Sequence, residues 1–293
     1  ANGVGAQTAA LIFGGEGSPG AEVNTTNTYN GVTFTAVNSM NETRQISLNF
    51  GTSTSAIASG GELGGAPTSA KTEQWNGTSW TETGDLNTAR RNGGGSGPSS
   101  STGVVFGGGE HPSYSALTES WNGSSWTETT DLPTGQAGSS AGDSATAALF
   151  FGGPLNPSPP YISDVTIAYN GSSWTSVNSM NTSRRIGPRG SSVGANSSGG
   201  AYYAGGNTGS TVGNMETWNG TSWTEEGDLN TARYQLSGAG SSTAAIVSGG
   251  SNPGGSYLTA TEEFTGAGVD IGAWATGNSL NTGREEFNIG GAG

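Results

Sequence analysis

Six short apolar runs punctuate the chain, and each closes on a pair of glycines: ALIFGG (residues 10–15), AIASGG (56–61), VVFGG (104–108), LFFGG (149–153), AYYAGG (201–206) and AIVSGG (245–250). Four or five apolar residues in succession are too few for a helix and suit a strand buried on both faces. The pairs are Gly14 and Gly15, Gly60 and Gly61, Gly107 and Gly108, Gly152 and Gly153, Gly205 and Gly206, and Gly249 and Gly250. Paired glycines let backbones approach and turn where a Cβ would clash. A later strand in every unit ends on an aromatic residue: Tyr29, Trp75, Trp121, Tyr169, Trp218 and Phe264, spaced 46–49 residues apart. In the first five units Asn-Gly follows, a strong hairpin signal because both residues tolerate positive φ. The return strand carries another aromatic, Trp80, Trp126, Trp174, Trp223 or Trp274, with Phe34 in the first unit. Large aromatics at one recurring place predict packing between adjacent sheets.

A polar stretch ends each unit: MNETR to Arg44, LNTAR to Arg90, MNTSR to Arg184, LNTAR to Arg233 and LNTGR to Arg284. The third unit departs, with LPTGQ ending at Gln136. Residues 75–90 and 218–233 differ at one position only, Thr83 against Glu226. Such internal repetition outranks any local reading. Each unit is then a meander of four short antiparallel strands. Six such sheets around an axis make an all-β, six-bladed propeller, which leaves only short edges. The repeat spans residues 1–293, so the chain reads as a single domain. Residues 6–13 read as a second strand and residues 285–289 as a first strand. The C-terminal strand is therefore expected to serve as the first strand of blade one and to latch the ring.

These marks resemble the kelch repeat: an apolar strand with Gly-Gly, a later aromatic, a Trp about six residues on, then an Arg before the next unit. The resemblance covers all six units and implies a kelch-type β-propeller closed by its C-terminal strand. Phe34 for Trp, Gln136 for Arg and a long sixth hairpin loop are its departures. The dense WNGTSWTE–LNTAR wording also resembles kelch-type proteins of marine bacteriophages. That likeness implies a virion structural or attachment protein.

Composition changes the picture in a few respects. With 54 Gly and 31% hydrophobic residues the chain looks low-complexity, but turns between many short strands take this composition. A net charge of −13 makes nucleic-acid phosphates and anionic membrane surfaces poor partners. No cysteine is present, which removes disulfides, thiolate metal sites and Cys nucleophiles. No stretch has the length and apolarity of a transmembrane helix, so no membrane insertion is expected.

Enzyme readings fare poorly, and neither a metal nor a cofactor is expected. Galactose oxidase and its relatives carry kelch repeats, but their copper site needs two His, two Tyr and a Cys. This chain has His111 alone. Sialidase propellers need Asp-box motifs and three convergent Arg, whereas these Arg sit at repeat-equivalent positions that favour satisfying neighbouring carbonyls. Asp85, Asp131 and Asp228 share one repeat position, where capping a turn explains them better than calcium. The sequons at Asn76, Asn122 and Asn219 coincide with the hairpin turn.

Binding is better supported. In a four-stranded meander, loops 2–3 and 4–1 emerge on one face, and loops 1–2 and 3–4 on the other. The 3–4 loops are nearly uniform. The 2–3 loops vary (residues 16–22, 62–70, 109–117, 154–163, 207–213 and 251–258) and carry His111, Tyr114, Tyr161 and Tyr257. The same face is expected to receive Arg90, Arg91, Arg184 and Arg185, with Arg189 nearby. Variable loops on a constant scaffold are how a fold hosts recognition. The expected partner is another virion protein or a cell-surface glycan on whose sugars the Tyr rings stack. A secreted or surface-anchored bacterial adhesion or lectin-like module is the alternative reading. The corresponding locations are the virion, or the extracellular space and cell surface.

Overall fold

A computed structural model describes residues 2–17, 21–63, 68–110, 113–155, 162–187, 190–192, 200–266, 273–280 and 284–285. It is an all-β ring of six four-stranded antiparallel blades. Blade two shows the plan: Leu48–Thr52 innermost, then Ser55–Ser59, Thr72–Trp75 and Trp80–Thr83 outermost, each paired with the next. Burial follows that order. The second strand is buried almost throughout, whereas the outer strand alternates from a buried Trp to exposed Thr and Glu. Charged and polar residues on the outer edge also discourage edge-to-edge pairing.

The Gly pairs behave as the spacing predicts. All twelve have positive φ. At Gly60, with φ of 61°, an added Cβ would lie 2.3 Å from the Arg90 carbonyl oxygen. The next residue, Gly61, donates its N–H to that same oxygen at 2.9 Å. The second glycine repeats this bond in four other blades: Gly15 donates to the Arg44 carbonyl, Gly108 to that of Gln136, Gly153 to that of Arg184 and Gly206 to that of Arg233. The close approach therefore carries a hydrogen bond between one blade and the segment that enters the next. In blade six Gly250 has φ of 85°, and its carbonyl accepts from the Leu258 N–H at 2.8 Å, which ties the pair to its own returning loop.

The aromatics also work between blades. Within each 3–4 hairpin they form a tilted pair, for instance Trp121 and Trp126 with centroids 5.0 Å apart. The outer Trp then meets the second strand of the preceding blade edge-on, as Trp80 meets Phe13 at 4.9 Å and Trp223 meets Phe151 at 4.9 Å. Its indole N–H donates to a Thr hydroxyl on that blade's third strand: Trp80 to Thr26, Trp126 to Thr72, Trp174 to Thr118 and Trp223 to Thr166. In blade five Met215 occupies the Thr position, and the indole nitrogen of Trp274, on blade six, is correspondingly without a partner among the described residues.

A buried polar network fixes the blade junctions. Arg44 pairs with Glu73, Arg90 with Glu119, Arg184 with Glu216 and Arg233 with Glu262, all fully or almost fully buried. Each guanidinium also donates to backbone carbonyls, as Arg233 does to Gly249 and Ala260. The Asn of each motif completes the knot. Asn87 donates its backbone N–H and its side-chain amide to Glu119, both at 2.8 Å, and the same amide reaches the Trp126 carbonyl. These Arg thus satisfy carbonyls as the repeat placement predicts, and the Glu two residues before each third-strand aromatic is their buried partner. Where Gln136 replaces Arg, Ile167 stands at the Glu position and Pro133 at the Asn position, so the three change together.

Two sequence expectations need correction. The first strand of blade one is Asn2–Ala6, paired along its length with Ala9–Phe13, rather than the C-terminal strand. Gly5 explains why this segment fits: its φ is 102°, beside 113° at Gly51 and 95° at Gly240 in the same inner-strand position, tight against the following strand. The C-terminal segment instead places Arg284–Glu285 beside Glu16–Gly17, and residues 286–289 lie outside the described residues. The second correction concerns the Asn-Gly turns. Only the glycine has positive φ, and four residues separate the paired aromatics Trp75 and Trp80. Asn76 shapes the loop through its side chain, whose Oδ1 accepts from the Thr78 and Ser79 N–H groups.

Candidate functional site

The 2–3 loops do not run free over the blades. Immediately after the Gly pair, in every blade but the fourth, the chain pairs on one side with the segment that follows the junction Arg, and on the other with its own returning loop. The rows so formed are Gln45–Glu62–Thr68, Arg185–Asn207–Thr211 and Tyr234–Ser251–Tyr257. Blade one contributes Glu285–Glu16–Glu22. In blade three Gly109 pairs with Tyr114 and donates its N–H to the Arg91 carbonyl. Residues directly opposite in a ladder share a face, so the rows Gln45–Glu62–Thr68, Arg185–Asn207–Thr211 and Tyr234–Ser251–Tyr257 each present three side chains together, and Glu16 and Glu22 stand side by side on blade one.

This lattice places the predicted site residues unequally. Arg90 and Arg184, expected on the recognition face, are buried in the junction network and hold Glu119 and Glu216. Burial lowers the pKa of the Arg90 guanidinium, and Glu119 beside it pulls the other way. A residue needed inside to neutralise a buried carboxylate does not reach a ligand on the face. Arg91 lies on the face but is largely covered and paired with Glu62. Arg185 is half-buried, its backbone bonded to Asn207. Tyr114 and Tyr257 are half-buried in their rows, and the Tyr257 hydroxyl donates to Glu16 at 2.7 Å. His111, Tyr161 and Arg189 lie outside the described residues. Arg91 and Tyr114 flank Gly109 in the blade-three row, whereas Arg185 and Tyr257 lie on blades five and six, so the four are not gathered at one place.

The reading of the 2–3 loops misses Gln45 and Tyr234, which precede inner strands, and does not single out Glu16, Glu22 or Glu62 within the loops. Gln45 donates to Glu22 at 3.1 Å, so polar contacts run from blade one to blade two across the face. A signal for these positions exists in the chain. The residue after the junction Arg or Gln reads Gln, Arg, Ala, Arg, Tyr and Glu in successive units, directly behind a position that is Arg in five of the six.

The centre of the ring is closed by backbone. A Cβ at Gly95 would lie 2.4 Å from the Asn49 carbonyl oxygen, and one at Gly3 would lie 2.8 Å from that of Gly238. Gly190–Ser192 of blade five lies parallel to the inner strand of blade one, Gly3 opposite Gly190. Among the described residues no group of three His, Asp or Glu side chains is gathered to hold a metal, and no helix is long and apolar enough to cross a membrane.

No protein-family model matches the chain, and no curated protein does. Solved structures do share its fold. The one described as "Structure of YjhT" superposes with a TM-score of 0.70, covering 93% of this chain and 96% of its own, at 14% identity. At that identity the likeness establishes the propeller and nothing finer.

Proposed function

We propose that this propeller is a non-enzymatic recognition module that binds through the face carrying its 2–3 and 4–1 loops. One observation carries the reading: units that repeat nearly residue for residue diverge where the short rows of that face present side chains. The buried Arg–Glu pair recurs at four of the six junctions and the Asn-Gly turn in five of the six units, whereas the rows of the face differ from blade to blade where a partner would touch. Closed centre and varied face together favour a partner that lies across the surface over a small molecule threaded down the axis.

The partner class follows from the phage-like wording of the repeat and the acidic, cysteine-free surface. We place the protein in a virus particle, docked to another virion protein or to a cell-surface glycan. Native material sedimented on a density gradient, with mass spectrometry of each fraction, tests this. Co-migration with particles in fixed proportion to a capsid or tail protein supports it. Recovery only in soluble or cell-envelope fractions removes the virion assignment and favours an adhesion or lectin-like module, to be screened on glycans. The face itself is tested separately: Arg185→Glu and Tyr234→Ala should weaken partner binding, whereas Thr54→Ala on the opposite face should not.

A further inference from the structure

The axis holds a polar feature that the recognition face does not use. Between the inner strands of blades two, three and four lies a pocket of about 10 Å³. Ser47, Asn49, Gly93, Gly95, Ser139 and Ser140 are among its walls. By this measure one water molecule needs about 10–15 Å³ and two to four polar partners. Ser47 is 2% exposed, and its hydroxyl has no hydrogen-bond partner among the described residues. The other walls are only partly committed. Ser140 Oγ accepts from the Gly95 N–H at 3.1 Å and donates to the Gly95 carbonyl at 3.2 Å, which leaves one lone pair. Asn49 donates Nδ2 to the Gly3 carbonyl at 3.1 Å, and its own carbonyl oxygen is an acceptor on the same side chain.

We infer that this pocket is a built site for a single ordered water that ties Ser47 of blade two to the inner strands of blades three and four. The size excludes larger ligands, and the walls carry hydroxyl and amide groups with no ionised side chain among them. Sequence logic agrees. The Ser47 position is Gly93 in blade three and Gly138 in blade four, so the hydroxyl is peculiar to the one junction where the pocket opens. At the first rung of the inner strands, Asn2 and Ser237 are likewise buried with side-chain atoms unpartnered among the described residues. Polar side chains are thus a recurrent feature of this end of the axis.

The test turns on a sign. Ser47→Ala removes one hydroxyl and keeps the backbone. If water bridges the site, the variant takes away one of its partners, and the thermal midpoint falls by about 2–4 °C. Near-atomic crystallographic maps should then show a sharp solvent peak in the unaltered protein and a weaker one in the variant. If the hydroxyl is merely unpaired, alanine relieves it and the midpoint rises. A raised midpoint, or a pocket without solvent density in the unaltered protein, overturns the inference. A readout that needs no variant is the water–amide nuclear Overhauser effect. Cross-peaks from a long-lived water to the Gly93 or Gly95 N–H support the site, and their absence in a spectrum that resolves both amides removes it.

Discussion

A buried guanidinium is expensive to desolvate, and four of them recur in this chain, each beside a buried Glu. Removing one partner leaves a charge with nowhere to go, so Glu119→Gln should destabilise the fold by about 3–5 kcal/mol. The chain supplies its own control. At the junction entering blade four the three polar partners are replaced together by Pro133, Gln136 and Ile167. Proline brings no N–H, so no carboxylate is required to accept one. Copying that set into the preceding junction, as Asn87→Pro, Arg90→Gln and Glu119→Ile combined, should recover most of the loss in a urea unfolding series. A combined variant no better than Glu119→Gln alone would show that the network contributes more than mutual neutralisation. The exposed pair Glu42–Lys71 behaves oppositely. Lys71 hydrogen-bonds Glu42 and holds its carboxyl below the ordinary range, so whatever the pair contributes is present above the unfolded pKa and is lost as pH falls through the lowered one. Both side chains are 40% exposed, so Glu42→Gln should leave the neutral-pH midpoint unchanged within error. The recurrent Arg was legible in the sequence as structural. Its partner was harder to see because it lies 29 residues downstream in three junctions and 32 in the fourth. Contacts of that range leave no periodic trace in a local window, although the Glu two residues before the third-strand aromatic in four of the six units was available.

Among the elements, the second strand and its Gly pair set the spacing of the ring. Gly60→Ala combines an unfavourable φ with a Cβ 2.3 Å from the Arg90 oxygen, whereas Gly209→Ala has φ of 113° with nothing within 4 Å. The first should destabilise by about 1–3 kcal/mol or more, since backbone must move as well as strain. The second should lose only the conformational part, about 1 kcal/mol. Equal losses in chemical denaturation would mean that the close approach to the next blade contributes nothing. Strand number, the Gly pairs and the aromatic hairpins were legible because period and composition declare them. The hairpins were legible but their turn conformation was not, because Asn-Gly suits both a two-residue turn with two positive φ angles and a longer loop capped by the Asn side chain. The loop length decides between them, and it depends on which aromatic faces which.

At the scale of the whole molecule, five blade junctions are crossed by continuous chain and the sixth joins blade six to blade one without it. Sequence reading expected the C-terminal strand to bridge that gap inside blade one. The inner position is instead filled by Asn2–Ala6, whose glycine spacing matches the other inner strands and was legible only by aligning Gly5 with Gly51. Among the described residues, closure is made by side chains and a short ladder. Gln7 donates to the Ala245 and Phe264 carbonyls at 3.0 and 2.9 Å, Tyr29 is hydrogen-bonded to Glu263, and Tyr257 to Glu16. Arg284–Glu285 adds two backbone rungs against Glu16–Gly17. Asn27 stands where Glu73 stands in blade two, so the buried carboxylate common to four junctions is missing here. A junction without that buried carboxylate should open at lower free energy than the four that have it. Gln7→Ala removes two hydrogen bonds at that junction, a loss of about 1–3 kcal/mol. Hydrogen exchange should then quicken in residues 2–13 and 244–265 while Gly94–Ser99 and Thr102–Phe106 of blade three keep their protection. Uniform acceleration around the ring would instead show that the six blades open as one cooperative unit, with the sixth junction as strong as the five that the chain itself connects.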